Sequence, residues 1–246
     1  MLQGDVLACH NSLWTAFGLQ FCSTTLVETW IVMALIAVLA LLAARGARAG
    51  RPGRLQNIFE LALDFVAGFV GGSQEVGPEH PARSRRLLFE YLATLLLFIF
   101  VANMLDVIPP YIAPTNTLNT TLALALVTFL FTHLSGVARR GLRYGGNFLH
   151  SPGIAGWVLL PLALIEELSK PLTLSFRLFG NIFAGELMLV VVMQLIPLRW
   201  YYFVGGFIPH LVWLLFSIFV GAVQSLIFML LSLAYVSQAT AVPEHH

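Results

Sequence analysis

Apolar runs long enough to cross a membrane recur along the whole chain, separated by short polar and charged stretches. Residues 26–44 form the first run, with Glu28 near its start. Residues 87–108 form the second, with Glu90 and Asp106 near its ends, and residues 118–138 form the third. Such runs predict helices, because only a helix satisfies its own backbone inside lipid while staying a single segment. Beyond residue 154 the pattern changes. Residues 154–196 are mostly apolar yet hold Glu166, Glu167, Lys170, Arg177 and Glu186, whereas residues 203–236 carry no charge apart from a protonatable His210.

The last two segments are too long for upright spans. A continuous helix over 154–196 would run about 65 Å, and one over 203–236 about 51 Å. A hydrocarbon core is roughly 30 Å thick. Either the two helices tilt beyond the usual range of about 0–40°, or Pro161, Pro171 and Pro209 break them. In both cases they are expected to lie obliquely, against something broad or curved.

Between the first two runs a different periodicity appears. Leu55, Ile58, Phe59, Ala62, Phe65, Val66 and Phe69 follow helical spacing, and Gln56, Asn57, Glu60 and Asp64 line the other face. This predicts an amphipathic helix over 55–70 lying at the inner membrane surface. Gly71, Gly72, Gly77, Pro78 and Pro81 then make a loop.

Charge placement sets an expected orientation. Arg45, Arg48, Arg51, Arg54, Arg83, Arg85 and Arg86 fall between spans one and two, and Arg139, Arg140 and Arg143 follow span three, so ten of the 13 basic residues sit in two loops. Both loops are expected on the cytoplasmic side. The N-terminus is then outside and the C-terminus inside, with Arg199 as the one dissenter.

Composition agrees with this picture. Of 246 residues 58% are hydrophobic and 10% charged, against about 25% charged in a soluble domain. The expected fold is an all-α membrane protein. About five membrane-embedded helices and one amphipathic surface helix make a single integral domain over 1–246, with 1–25 as an external N-terminal segment. No cleavage site precedes the first span, which is read as retained. Cys9 and Cys22 are the only cysteines and make no framework; they are read as unpaired thiols, with a pair open to them if that segment faces an oxidising side. His10, His80, His133, His150, His245 and His246 have no metal-ligand spacing with carboxylates or thiols, so no cofactor is expected. The net charge of +1 says little about partners, and its distribution says more; no nucleic-acid partner is expected.

The candidate chemistry centres on Arg177, in the run SKPLTLSFRLFGNIFAGELMLVVV (169–192). A fixed charge at the centre of a membrane helix costs roughly 2.5–3.5 kcal/mol on insertion scales. Arginine does not shed its proton to escape that cost. Glu166, Lys170, Thr173, Arg177 and Asn181 share one helical face, and Glu186 lies about 180° round and roughly 13 Å along from Arg177. Polar groups thus flank the arginine at both ends on different sides. This suits two ion routes that do not join, with a positive barrier between them. The competing structural reading makes the stripe an ion-pair network joining helices, to which Glu166 and Lys170 are well suited. In the last span Ser217 and Gln224 share a face, and Ser225 and Ser232 share a neighbouring one. Gly221 and Ala222 permit close approach of another helix. Gln224 is suited to donating to an acid or accepting from the arginine, Ser225 and Ser232 to joining helices.

The run LSKPLTLSFRLFGNIFAGEL (168–187) resembles the SKPLSLxxRLFGNxxAGE signature of subunit a of the F-type ATP synthases. FIFVANMLDVIPPYIAPTNTLNTTLALAL (98–126) resembles the hairpin between its second and third spans, and VQSLIFMLLSLAYV (223–236) its closing helix. The resemblance covers about residues 55–240. It implies a proton-translocating stator subunit, not catalytic by itself, that offers two offset half-channels to the carboxylates of a rotor c-ring. The expected partners are that ring, peripheral stalk b subunits and the lipid of a bacterial plasma membrane. Arg177 matches the stator arginine, Asn181, Glu186 and Gln224 match residues beside it and along the outer route, and Glu167 resembles an acid near the cytoplasmic exit. The position seven before the glutamine, His or Glu in many relatives, is Ser217 here. Serine does not titrate near neutral pH, so Glu186 or ordered water is expected to carry more of that route. No P-loop is present. The alternative is a self-contained ion-coupled secondary transporter, which needs its own substrate pocket and usually internal repeats; the sequence displays neither.

Overall fold

The computed structural model describes residues 13–16, 19–46, 53–72, 82–105, 107, 113–141, 154–195 and 202–240. Six helices make up its body. They are α1 (Ser23–Arg45), α2 (Arg54–Gly72), α3 (Ala82–Leu105), α4 (Leu118–Arg140), α5 (Ile154–Leu195) and α6 (Tyr202–Thr240). Cys9, Asp106, His10, His80, His150, Arg199 and the terminal histidines lie outside the described residues.

Four helices are long and apolar enough to cross a membrane among the described residues, with spans at Thr25–Arg45, Arg83–Leu105, Leu118–Arg139 and Leu211–Thr240. Large apolar side chains remain exposed on them, including Trp30, Leu41, Leu130, Leu134 and Phe219. A protein in water does not leave so much apolar surface uncovered; in lipid the same surface is solvated. The chain is a multi-pass integral membrane protein.

One small element departs from a purely helical reading. Leu13–Ala16 (β1) and Leu19–Cys22 (β2) pair antiparallel, with Leu13 opposite Cys22 and Ala16 opposite Leu19. Four residues per strand are too few to show a convincing alternation in sequence.

α3 is the hub of the packing. It lies most extensively along α6, and α1 and α2 also rest on it, while α4 packs on α5 and α6. The main core joins Val66 and Val70 of α2, Leu88, Leu92 and Ile99 of α3, Ala125 of α4, Leu174 and Leu178 of α5, and Phe228, Met229 and Leu233 of α6. A smaller cluster seats Val32 of α1 against Ala102 and Leu105 of α3. Tyr91 of α3 stacks on Phe131 of α4, with ring centroids 4.1 Å apart, and its hydroxyl shares a 2.7 Å hydrogen bond with Thr128.

The α2 helix is amphipathic, but its faces differ from the expectation. Val66 and Val70 are buried against α3, whereas Ile58, Leu61, Phe65 and Phe69 stay exposed. It therefore presents apolar surface both to the bundle and away from it. A sequence periodicity alone merges these two stripes into one.

A 3-10 turn at Pro114–Asn116 leads into α4. At the other end of α4, Gly141 closes the helix with φ of 60°, and its N–H returns to the Val137 carbonyl. A side chain is strained at that φ, which explains a glycine there.

The prolines do not break α5. Pro161 and Pro171 lie inside one continuous helix of 42 residues, which corresponds to about 63 Å. α6 has 39 residues, about 59 Å. Each interior proline removes one helical hydrogen bond, a loss that neighbouring helices and polar side chains make tolerable in a membrane protein. Pro171 is buried against the bundle.

Candidate functional site

The long pair α5 and α6 positions the site. Leu174, Ser175 and Leu178 of α5 are buried toward the bundle. The opposite face carries Glu166, Thr173, Arg177 and Asn181, all exposed, interleaved with exposed Leu168, Leu172 and Phe176. Four of the five stripe positions read from spacing are thus exposed; the fifth, Lys170, is half-buried near Tyr235 of α6.

Arg177 is exposed on that face and makes no ion pair among the described residues. The acid ten residues earlier, Glu167, turns elsewhere. Its Oε1 accepts from Lys170 Nζ at 2.6 Å, and its Oε2 lies 3.8 Å from His133 Nε2 of α4. Lys170 Nζ also sits 5.8 Å from the ring centre of Tyr235 on α6. The ion pair on this face is therefore Glu167–Lys170 at i, i+3, not the Glu166–Lys170 pair that spacing favours; Glu166 is exposed.

On the other side of Arg177 a second polar group forms. Asn181 Nδ2 donates to Gln224 Oε1 at 2.7 Å, tying α5 to α6. Gln224 is 2% exposed, and its Nε2 has no protein acceptor. Among the described residues its partner is Asn181, which donates to the amide oxygen. One helical turn beyond Asn181, Trp213 Nε1 donates to the Gly185 carbonyl at 2.7 Å. These residues line a small cavity of about 20 Å³ together with Asn103, Ser217 and Gly221. That volume exceeds the roughly 10–15 Å³ needed to seat a water molecule, and an orphaned buried amide costs about 1–3 kcal/mol unless something accepts from it. A water-sized space beside Gln224, with polar groups of Asn103, Asn181 and Ser217 in a mostly apolar lining, meets both conditions.

Sequence reasoning missed Asn103. It is 4% exposed; Thr115 donates to its Oδ1 at 3.0 Å, and its Nδ2 donates to the Gly221 carbonyl at 3.1 Å. The available signal was a lone amide in the apolar run 87–108. The close approach read from Gly221 is made by α3, since a Cβ there would lie 3.0 Å from Asn103 Cβ. Among the described residues Ser225 and Ser232 do not join helices. Each donates to its own helix, at the Ala222 and Phe228 carbonyls. Glu186 falls on α5 with its side chain outside the described residues.

Two polar groups thus lie on either side of an exposed arginine along the middle of α5. A family model described as ATP synthase A chain matches residues 26–237. The chain belongs to that family. It is similar to the ATP synthase subunit a of Desulforamulus reducens, at 37% identity over 243 residues that cover 96% of this chain and 87% of the relative. It is also similar to the ATP synthase subunit a 2 of Syntrophotalea carbinolica, at 39% identity over 215 residues, covering 86% and 83%. As a member of this family the chain is a non-catalytic subunit of the membrane sector and serves proton translocation as a stator component of an F-type ATP synthase.

Proposed function

We propose that Arg177 is the barrier between two offset half-channels that serve the carboxylates of a rotor c-ring. The observation that carries this reading is its setting. An exposed guanidinium, without an ion-pair partner among the described residues, stands between the cavity at Asn181 and Gln224 and the cluster at Glu167. A permanent cation on an apolar face needs an anion, and a carboxylate on a neighbouring chain supplies one.

In this reading a proton enters from outside by way of Glu186, Asn181, Ser217 and Gln224 and neutralises a rotor carboxylate. The neutral acid passes into lipid at low cost, whereas the ionised form does not. After nearly a full turn the acid reaches the Glu167 side and releases its proton. Arg177 favours the ionised carboxylate by opposite charge and repels a proton that would cross directly. Each charge moving down 100 mV releases about 2.3 kcal/mol. Since Ser217 carries no titratable proton near neutral pH, water in the adjoining cavity bridges that part of the route.

The rest of the molecule is assigned accordingly. The arginine-rich loops lie on the cytoplasmic side of a bacterial plasma membrane, with the N-terminus outside. α2 lies at the inner surface. α5 and α6, each about twice the thickness of the hydrocarbon core, tilt steeply along the rotor, and peripheral stalk b subunits hold the chain in place. The test is Arg177→Ala and Arg177→Lys in membrane vesicles. Both should abolish coupled ATP-driven proton pumping, lysine included, because its compact ammonium lacks the planar fork. Full coupling in either variant overturns the assignment.

A further inference from the structure

We propose that His133 is a proton-carrying residue of the inner half-channel, acting as a pair with Glu167. This rests on the half-channel reading of Arg177 and adds to it a residue on a third helix.

The observations are geometric. His133 sits inside the apolar α4, where an ionisable side chain is a functional candidate by default. Its side chain is 19% exposed, and its Nε2 lies 3.8 Å from Glu167 Oε2, a carboxylate that is itself 24% exposed. That carboxylate is divided: Oε1 is engaged by Lys170 at 2.6 Å, while Oε2 faces the imidazole. Phe129 packs edge-on against the ring with centroids 4.1 Å apart, which fixes its plane. Among the described residues, the charged and titratable groups around it include Glu167 and Lys170 from α5, with Tyr235 of α6 behind Lys170. Glu167 lies about 15 Å along α5 from Arg177, and His133 about 9 Å before Arg139 along α4. The pair therefore stands between the arginine and the basic end of α4.

The chemistry follows from the residue types. Glu167 bonded to Lys170 is already compensated and is a poor lone acceptor. An imidazole accepts and returns a proton near neutral pH, and the Glu167 carboxylate attracts the charge it gains. The rotor carboxyl O–H breaks, its proton reaches Nε2 through water, and an imidazolium forms beside the Glu167 carboxylate. The proton then leaves to cytoplasmic water, restoring neutral imidazole. No other bond changes and no electrons are transferred.

The test uses the assembled ATP synthase in inverted vesicles, whose cytoplasmic face is open to the buffer. Wild-type ATP-driven pumping should depend on the pH at that face; a flat profile between about pH 5.5 and 8 overturns the proposal without any variant. H133Q should lower the rate about tenfold and abolish that dependence. The loss is smaller than the usual 10²–10⁴ for a positioned acid–base group because water remains as a second carrier. H133A should regain part of its rate on adding imidazole, and H133Q should not. A wild-type rate and profile in H133Q, or an equal loss at every pH with no rescue of H133A, shows that the residue only packs. R177A in the same vesicles separates the two readings. If R177A stays coupled, the reading of Arg177 falls; if it is uncoupled while H133Q is unaffected, only His133 loses its role.

Discussion

Asn103 of α3 donates its amide to the Gly221 carbonyl of α6 across 3.1 Å, although 118 residues separate them. The contact needs a helix surface without a side chain. A Cβ at 221 would meet Asn103 Cβ at 3.0 Å and Met104 Cε at 3.3 Å. Gly221→Val is therefore expected to push α3 from α6 at a cost of about 1–3 kcal/mol. Thermal unfolding of the purified complex in detergent should show a lowered Tm, and an unchanged Tm would mean that the helices do not meet there.

The Asn181–Gln224 bond predicts non-additivity. Asn181→Ala and Gln224→Ala each remove one end of the same 2.7 Å contact. Pumping in the double variant should resemble that of the worse single variant, with a coupling of about 0.5–1.5 kcal/mol. Independent, multiplying losses would show that the two amides act on separate steps.

Tyr235 separates ring from hydroxyl. Lys170 sits over its face, 5.8 Å from the centroid. Tyr235→Phe keeps the face and should leave stability unchanged, whereas Tyr235→Leu should cost about 0.5–1 kcal/mol. Comparing the two Tm values checks this directly; equal losses would move the effect to the phenolic oxygen.

Arg177 was legible from sequence because a permanent charge inside an apolar run has few innocent explanations. The exposed polar face of α5 was legible too, since helical spacing fixes which residues share a side. Partners across helices were not. Nothing in the run 118–138 says that His133 faces Glu167, and Lys170 reaches either Glu166 or Glu167 from one helix; the packing of α4 beside Glu167 goes with the second choice. Asn103 was hidden for the same reason, its meaning residing in a glycine 118 residues away. The serines misled in the opposite direction. A hydroxyl in an apolar helix is suited to bridging, yet the nearest acceptor for Ser232 is the carbonyl one turn back, at 2.8 Å. Proline was overvalued as a breaker, because sequence shows the missing donor but not the neighbours that support the helix around it.

Pro171 leaves its own mark on α5. Having no N–H, it withholds the usual donor from the backbone carbonyl of Glu167, one turn earlier. A rod deprived of a single rung yields first at that rung when pushed sideways. Compliance is thereby concentrated between the Glu167 cluster and the guanidinium.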